Sequence, residues 1–260
     1  MPAEVAEVLG DIRSAGVFLT RIPAGLVGVD ASAPADFRRA SRVFPVIGCL
    51  IGLVGGIVFW IALAIGMPAL AAATLAVTAT MALTGGLHED GLADTADSFG
   101  GATAEQRLQI MDDSRIGTFG AAALVLTLLI RVTSLAALAV IVGPFGAAAV
   151  LIAAEGISRA AMVRLWHELP AARLNGLAHE SGPPDHTAML IALVIGLVLV
   201  LLMIPVIGLR PAIVAAILAA AASYGLTRLV AETLGGRTGD TLGACQQVAL
   251  AAFLVGAATV

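Results

Sequence analysis

The sequence predicts an all-α integral membrane protein, and three observations support this fold class. Hydrophobic residues make up 59% of the 260 residues, only 12% are charged, and the mean hydropathy is +1.00. A soluble domain usually carries about 25% charged residues and cannot bury so much apolar surface. The apolar residues fall into runs of about 20, the length that crosses a bilayer as a helix. We therefore expect a polytopic helix bundle that forms a single domain over residues 1–260.

About seven segments are candidate transmembrane helices. They lie at 43–66, 67–87, 117–142, 144–163, 188–208, 211–232 and 242–260. Glycine and proline separate neighbouring segments at three places, as expected for tight hairpins between helices. The last segment is diluted by Gln246 and Gln247. Ahead of the first span, one apolar helix face predicts a helix that lies at the membrane interface. That face consists of Val5, Val8, Leu9, Ile12 and Phe18.

All fourteen Lys and Arg positions are arginines. They are distributed unevenly between the two sides of the predicted bundle. Ten arginines lie in the segments 1–42, 88–116, 164–187 and 233–241, and the opposite side holds only Arg210. Positively charged loops remain in the cytoplasm. This pattern predicts a protein of the cytoplasmic (inner) membrane whose N-terminus and polar motifs face the cytoplasm. The net charge of −4 argues against a basic nucleic-acid-binding surface.

A cluster of acids follows the second span, in GGLHEDGLADTADSFGG (85–101). Asp90, Asp94 and Asp97 are spaced i, i+4, i+7, so they share one face of a helix. Such like charges repel unless a cation neutralises them, and Mg²⁺ prefers oxygen ligands and contacts substrate phosphates. A solvated acidic loop is the alternative. We favour a metal site because ionisable clusters near the membrane usually mark function.

Two glycine-containing stretches carry further candidate ligands. MDDSRIGTFG (111–120) precedes a helix start, where backbone N–H groups favour anions, but a helix cap with a topology-setting arginine explains it equally well. GGRTGDTLGA (235–244) suits phosphate binding, with a flexible turn as the alternative. The candidate ligands are Ser114, Arg115, Arg237, Thr238 and Gly239 for phosphate and Asp240 for the metal.

Two arginines lie within predicted spans. Arg159 follows Glu155 at i+4, so it can pair with that carboxylate or face a cytoplasmic cavity. Arg131 has no sequence neighbour of opposite charge, and in lipid it must find a partner inside the bundle.

Taken in order, these motifs resemble the cobalamin synthase family, also called adenosylcobinamide-GDP ribazoletransferase. The resemblance covers nearly the whole chain. It rests on FLTRIP (18–23), FPVIG (44–48), TGGLHEDGLADTADSFGG (84–101), IMDDSRIGTFG (110–120) and GRTGDTLGA (236–244). It implies a membrane-bound, Mg²⁺-dependent transferase of cobalamin assembly. Such an enzyme joins adenosylcobinamide-GDP to α-ribazole or its 5′-phosphate and releases GMP.

The resemblance also suggests roles for individual residues. The aspartates expected to hold Mg²⁺ are Asp90, Asp94, Asp97 and Asp240. The residues expected to handle the proton of the ribose hydroxyl are Glu89, His88 and Asp90. The arginines expected to bind phosphates are Arg115, Arg159 and Arg237. Membrane lipid is a further expected partner, nucleic acid is not, and association with a second copy or with other cobalamin assembly enzymes stays open.

Other functions are less consistent with the sequence. A cation-coupled transporter using the carboxylate cluster is the main alternative, but such transporters often show repeated halves and midplane charges. A CDP-alcohol phosphotransferase would need D-x-x-D-G-x-x-A-R, whereas Asp94 follows DGLA here. A structural membrane subunit would not need the acids.

Overall fold

The computed structural model describes residues 3–29, 36–173 and 182–259, which form helices and connecting loops with one isolated bridge between Ala171 and Arg237. The helices are α1 (Ala3–Leu19), α2 (Ala24–Val27), α3 (Phe37–Ala40), α4 (Phe44–Ala64), α5 (Ala69–Thr84), α6 (Leu87–Ser98), α7 (Ala104–Met111), α8 (Thr118–Ile141), α9 (Gly143–Glu168), α10 (His186–Ile207), α11 (Leu209–Leu234) and α12 (Gly239–Ala257). The predicted all-α polytopic membrane fold is confirmed.

Within the described residues, six helices are each long and apolar enough to cross a membrane. They are the continuous stretch Phe37–Ala64, which includes α4, and the helices α8 to α12. A seventh crossing requires α5, which passes the same test only together with α6. Because α5 has 16 residues, it is about 24 Å long, whereas the hydrocarbon core is about 30 Å thick. The weakest span is therefore the second, not the last. All seven predicted segments match helices to within five residues at either end.

Helix α6 turns away from the span that precedes it. Gly85 (φ 68°) and Gly86 (φ 71°) occupy the left-handed region, which favours glycine, and α6 leaves this turn at 91° to α5. A side chain at Gly85 would also collide with Arg21. Because α6 carries four carboxylates, which are costly in hydrocarbon, we place it outside the spans, across one end of the bundle.

The polar segments of the chain meet at this same end. Backbone and side-chain hydrogen bonds connect the N-terminal segment, the α6–α7 region, the segment after α9 and the α11–α12 loop. The bonds are Arg21 N to Leu83 O (2.8 Å), Arg38 Nη2 to Asp185 Oδ1 (3.2 Å), Arg107 Nη1 to Thr233 O (3.0 Å) and Arg237 N to Pro170 O (2.7 Å). The four arginine-rich segments identified in the sequence therefore share one end of the bundle.

Helices α9 and α12 form the centre of the bundle. In each, 78% of the most apolar 18-residue window is buried, against 17–44% in the other spans. Glycines on α4 allow its backbone to approach α9, and a Cβ on Gly52 would lie 2.7 Å from Ile152 Cα. Small residues are what lets helices pack closely where lipid supplies no hydrophobic driving force.

Replacing Gly52 with alanine should destabilise the bundle. The added methyl group must push α4 from α9, and overpacking of this kind costs about 1–3 kcal/mol. The measurement is thermal unfolding in detergent. Gly225→Ala is the matched control, because no atom lies within 4 Å of its added Cβ. Equal melting temperatures for both variants would contradict the close approach of α4 and α9.

Candidate active site

The polar face of α6 carries the acids at the centre of the site. Asp90 is exposed, and Asp94 and Asp97 are half-buried. Burial, the largest cause, and the neighbouring charges of Asp90, Asp240 and Asp97 together raise the pKa of Asp94 to about 6. Asp94 is thus surrounded by carboxylates from two helices. The other three aspartates predicted as metal ligands thus lie close enough for their charges to act on Asp94.

Two glycines allow α12 to bring Asp240 to this face. A Cβ on Gly91 would lie 2.7 Å from Asp240 O and 2.9 Å from Asp240 Cα, and a Cβ on Gly243 would lie 3.1 Å from His88 Cα. The two backbones therefore touch where Asp240 enters the site. Thr238 caps α12 by accepting a hydrogen bond from Thr241 N (3.2 Å). Its hydroxyl also donates to Asp240 Oδ2 (3.3 Å).

Asp97 caps the start of α8. Its two carboxylate oxygens accept hydrogen bonds from Gly117 N (2.7 Å) and Gly120 N (2.8 Å). A Cβ on either glycine would collide with this carboxylate. The glycine spacing of the RIGTFG stretch thus fits a carboxylate from α6, which neutralises the N-terminal end of the α8 dipole.

Two cavities lie at opposite ends of this acidic face. An open polar groove of about 690 Å³ is lined by Asp97, Arg115, Gln106 and Gln109 among others. A smaller cavity of about 150 Å³ has mainly apolar walls and is bordered by His88, Asp90 and Asp240. Asp90 and Asp97 are two helical turns apart, about 10 Å along the α6 axis. The acids therefore form a bridge between a polar groove and an apolar cavity.

The other side of α6 is held in the bundle by a buried ionic network. Arg131 Nη1 donates to Glu89 Oε1 (2.8 Å) and to Gln247 Oε1 (3.0 Å), and its Nη2 donates to Thr80 Oγ1 (3.2 Å). Arg131 is 1% exposed and Glu89 is 5% exposed. The expectation that Arg131 finds a partner inside the bundle is confirmed.

A second ion pair extends this network towards α9 and α12. Arg159 Nη1 donates to Glu155 Oε2 (2.5 Å), and Gln246 Nε2 donates to the same oxygen (3.3 Å) and to Ser158 Oγ (3.0 Å). Arg131 Nη2 lies 3.6 Å from Glu155 Oε1. Two arginines thus balance two glutamates, and the alternative that Arg159 pairs with Glu155 is the arrangement found.

The predicted phosphate ligands are distributed over several environments. Arg115 is exposed at the polar groove, where it donates to Asp113 Oδ2 (2.6 Å), and Ser114 is exposed beside it. Arg237 is 3% exposed and donates to the Leu169 carbonyl. The last candidate phosphate ligand, Arg159, lies in the buried network. Thr238 is buried in its capping box, whereas Gly239 is exposed and borders the apolar cavity.

The predicted proton-handling residues also differ in their surroundings. Glu89 is the partner of Arg131, although its Oε2 is buried and receives no hydrogen bond from the described part of the chain. Burial lowers the pKa of His88 well below 6.5, and the positive charges of Arg159 and Arg131 lower it further. Asp90 is exposed and borders the apolar cavity. Asp90 is therefore the most accessible of the three.

Sequence reasoning did not identify several residues that complete this site. Gln246 and Gln247 had suggested only a weak span, yet both are buried in the ionic network. Two adjacent glutamines inside an apolar helix are the signal that could have revealed it, because buried amides need partners. Arg173 donates to Asp112 Oδ1 (2.5 Å), and its charge lies near Asp240. No sequence signal distinguishes Arg173 from other loop arginines.

The acids do not form a ready-made metal cage. Among residues 3–29, 36–173 and 182–259, no three His, Cys, Asp or Glu side chains converge closely enough to hold a metal ion by themselves. Cys49 and Cys245 are free thiols. Any ion at the α6 face would need ligands from water or substrate in addition to the protein.

Comparisons with known proteins agree with one another. The family model described as cobalamin-5-phosphate synthase matches residues 11–258. A protein of Azorhizobium caulinodans named adenosylcobinamide-GDP ribazoletransferase is 44% identical over 255 residues, covering 96% of each chain. Proteins of the same name from Brucella melitensis and Brucella ovis are 44% and 43% identical over 252 residues, with the same coverage. No solved structure matches this chain.

Removing one charge from the acidic face should stabilise the metal-free protein. Ionised Asp94 opposes folding because its pKa in the folded state is raised to about 6. The favourable contribution of its protonated form is therefore present below about pH 4 and is lost as the pH rises through 6. In EDTA at pH 8, Asp94→Asn should melt at a higher temperature than the parent. The difference between the two melting temperatures should disappear towards pH 4.

The matched control for this charge removal is Asp113→Asn. Arg115 holds the pKa of Asp113 at about 2, so removing the charge of Asp113 should not raise the melting temperature. If Asp94→Asn is less stable than the parent at pH 8 in EDTA, the carboxylates are not crowded.

The buried ion pairs should be costly to break and much less costly to remove together. Arg131→Met leaves Glu89 charged with only the amide of Gln247 donating to it, and breaking a buried ion pair in this way typically costs about 3–5 kcal/mol. The double variant Arg131→Met/Glu89→Gln should recover most of that loss. Chemical unfolding in detergent measures both changes. Additive losses in the double variant would show that the two side chains are not coupled.

Proposed function

The chain belongs to the cobalamin-5-phosphate synthase family and is a transferase of cobalamin synthesis, and we propose that its α6 carboxylates carry out the ribazole transfer for which its relatives are named. The observation that carries this proposal is the position of Asp94 among three other carboxylates, between a polar groove and an apolar cavity. The comparisons give no support to the transporter alternative.

The reaction exchanges the anhydride bond of a diphosphate for a phosphate ester bond. A ribose hydroxyl of α-ribazole, or of its 5′-phosphate, attacks the phosphorus that carries the cobinamide group. A new P–O bond forms, the diphosphate P–O bond breaks, and GMP leaves with the electron pair of that bond. The hydroxyl proton passes to a base. Negative charge builds up on the phosphoryl oxygens, so the site must supply positive charge.

We propose that Mg²⁺ supplies this positive charge. The donor set fits the ion, because Mg²⁺ is usually bound by one or two carboxylates together with waters and substrate phosphates rather than by a complete protein cage. Asp94, together with Asp90 or Asp240, would hold it with water and substrate oxygens, whereas both oxygens of Asp97 are occupied by the α8 cap. When bound, the ion would stabilise charge on the phosphoryl and leaving oxygens.

The chain's own residues orient the two substrates. The polar groove suits the nucleotide half of adenosylcobinamide-GDP, with Arg115 at its wall as the accessible arginine among the predicted phosphate ligands. Asp90 is exposed beside the smaller cavity and is placed to accept the hydroxyl proton. Glu89 is already used by Arg131, and neutral His88 is a weak base at pH 7 because its pKa is low. Roles for Arg159 and Arg237 at phosphate remain predictions.

We further propose that this end of the bundle faces the cytoplasm from the inner membrane. The support is the arginine asymmetry, since the arginine-rich segments meet where the acids lie. Both substrates would then reach the site without crossing the bilayer. Membrane lipid would surround the exposed apolar spans. Association into an oligomer, or with other enzymes of cobalamin assembly, is an open question.

The test is turnover by purified protein in detergent. Adenosylcobinamide-GDP, α-ribazole 5′-phosphate and Mg²⁺ should give GMP and a new corrinoid in equal amounts, followed by chromatography. Asp94→Asn should lower kcat by at least about a hundredfold while the protein still inserts in the membrane, because a group that stabilises transition-state charge contributes at least that much.

Asp113→Asn serves as the control, since its carboxylate pairs with Arg115 at the groove and should affect KM more than kcat. Mg²⁺ should raise the melting temperature of the parent and much less that of Asp94→Asn. Full activity of Asp94→Asn would remove Asp94 from the mechanism, and no turnover by folded parent protein would overturn the proposed function.

A further inference from the structure

The smaller cavity beside Asp90 has a wall chemistry that the phosphate reaction does not require. About 150 Å³ of space is enclosed by apolar side chains from four helices, and two carboxylates stand at its border. The apolar lining comes from Phe18, Leu19, Leu87, Met162, Trp166 and Leu242. Phosphate, ribose and metal ions are all strongly hydrated, so none of them accounts for these walls.

Aromatic rings form one side of the cavity and are fixed in place. The ring centroids of Phe18 and Trp166 are 6.5 Å apart, and Phe44 lies behind both, at 5.8 Å from Phe18 and 6.0 Å from Trp166. The indole Nε1 of Trp166 donates to Gly182 O (2.9 Å), which sets the orientation of the ring. Preorganised aromatic walls of this kind suit a flat aromatic ligand.

A buried polar group stands in the same wall. His88 borders the cavity and is 2% exposed, and no described residue forms a hydrogen bond with its Nε2. That nitrogen is itself shut off from the accessible space. The cavity therefore combines flat apolar walls with one imidazole ring at its border.

We propose that this cavity binds the aromatic base of the acceptor nucleoside. α-Ribazole is a riboside of a dimethylated benzimidazole, a flat bicyclic ring with one unsubstituted ring nitrogen. The ring would lie beside Phe18, Trp166 and His88, which line the cavity. The ribose would then extend past Asp90 towards the carboxylates. The N-terminal FLTRIP stretch acquires a function in this arrangement, since it supplies Phe18 and Leu19.

This inference rests on the proposed function for the identity of the ligand, but binding is measurable without turnover. The chain has two tryptophans, and Trp60 lies on the exposed outer surface against Phe145. In Trp60→Phe, Trp166 is the sole tryptophan. Free 5,6-dimethylbenzimidazole and α-ribazole should each change its emission in a saturable way, whereas ribose 5-phosphate should not. Trp166→Phe, which keeps Trp60, controls for light absorbed by the probes and should show no saturable change.

Narrowing the cavity should alter the choice of acceptor. Leu242→Phe should raise KM for α-ribazole about tenfold, since a single misfitting group in an apolar pocket is worth that much. KM for adenosylcobinamide-GDP should change less than about twofold. Turnover with the riboside of unsubstituted benzimidazole should fall less than turnover with the dimethylated one. Leu254→Phe, on the same helix but buried in the bundle core, should not change this preference between bases.

The possible outcomes separate the two proposals. Saturable quenching of Trp166 together with a changed base preference supports the cavity assignment. If the parent turns over but neither quenching nor a KM change is seen, the base binds elsewhere and the proposed function stands. If Trp166 responds to the base but no GMP is released, the cavity assignment stands and the proposed function fails.

Discussion

The pairing of Glu89 with Arg131 is the interaction on which the site depends. Four charges buried in an apolar bundle are tolerable only because each arginine meets a glutamate and Gln246, Gln247 and Thr80 supply further hydrogen bonds. Glu89 directly precedes Asp90, so the same pair that satisfies Arg131 also fixes α6 against α8 and α12. A helix across the end of a bundle has little apolar surface to hold it. The ionic network supplies the attachment, and the aspartates on the other face remain available.

This arrangement divides α6 into an anchored side and a reactive side. On the anchored side, opposite charges neutralise each other. On the reactive side, like charges are gathered around Asp94, and burial and repulsion raise its pKa. Electrostatic strain of this kind lowers the stability of the free protein but favours any cation that enters. The close contact of Gly91 with Asp240 shows that the crowding is built into the backbone packing, because a larger residue at 91 would force the carboxylates apart.

The sequence predicted features that depend on local pattern and missed those that depend on which helices touch. Apolar runs and Gly–Pro breaks located the helices, because lipid requires a minimum length. The spacing of Asp90, Asp94 and Asp97 placed them correctly on one helix. The sequence did not show that Asp97 caps α8, since its partners Gly117 and Gly120 are twenty or more residues away. Nor did it decide between the two environments of Arg159, because i, i+4 pairing with Glu155 fits a buried pair and an exposed one equally well.

Two different environments at one end of the bundle account for chemistry on phosphates in a membrane protein. The transferred group and its counter-ion need water and mobile ligands, which the open groove beside Asp97 provides. An aromatic ring needs a site from which water is excluded. The rings that α1 and α9 supply form such a site beside Asp90. A helix that lies across the end of the bundle meets both environments along its length. Buried ion pairs hold α6 in this position, and two glycines turn it through 91° from α5. One short sequence motif can therefore contact a hydrated diphosphate and an apolar ring together.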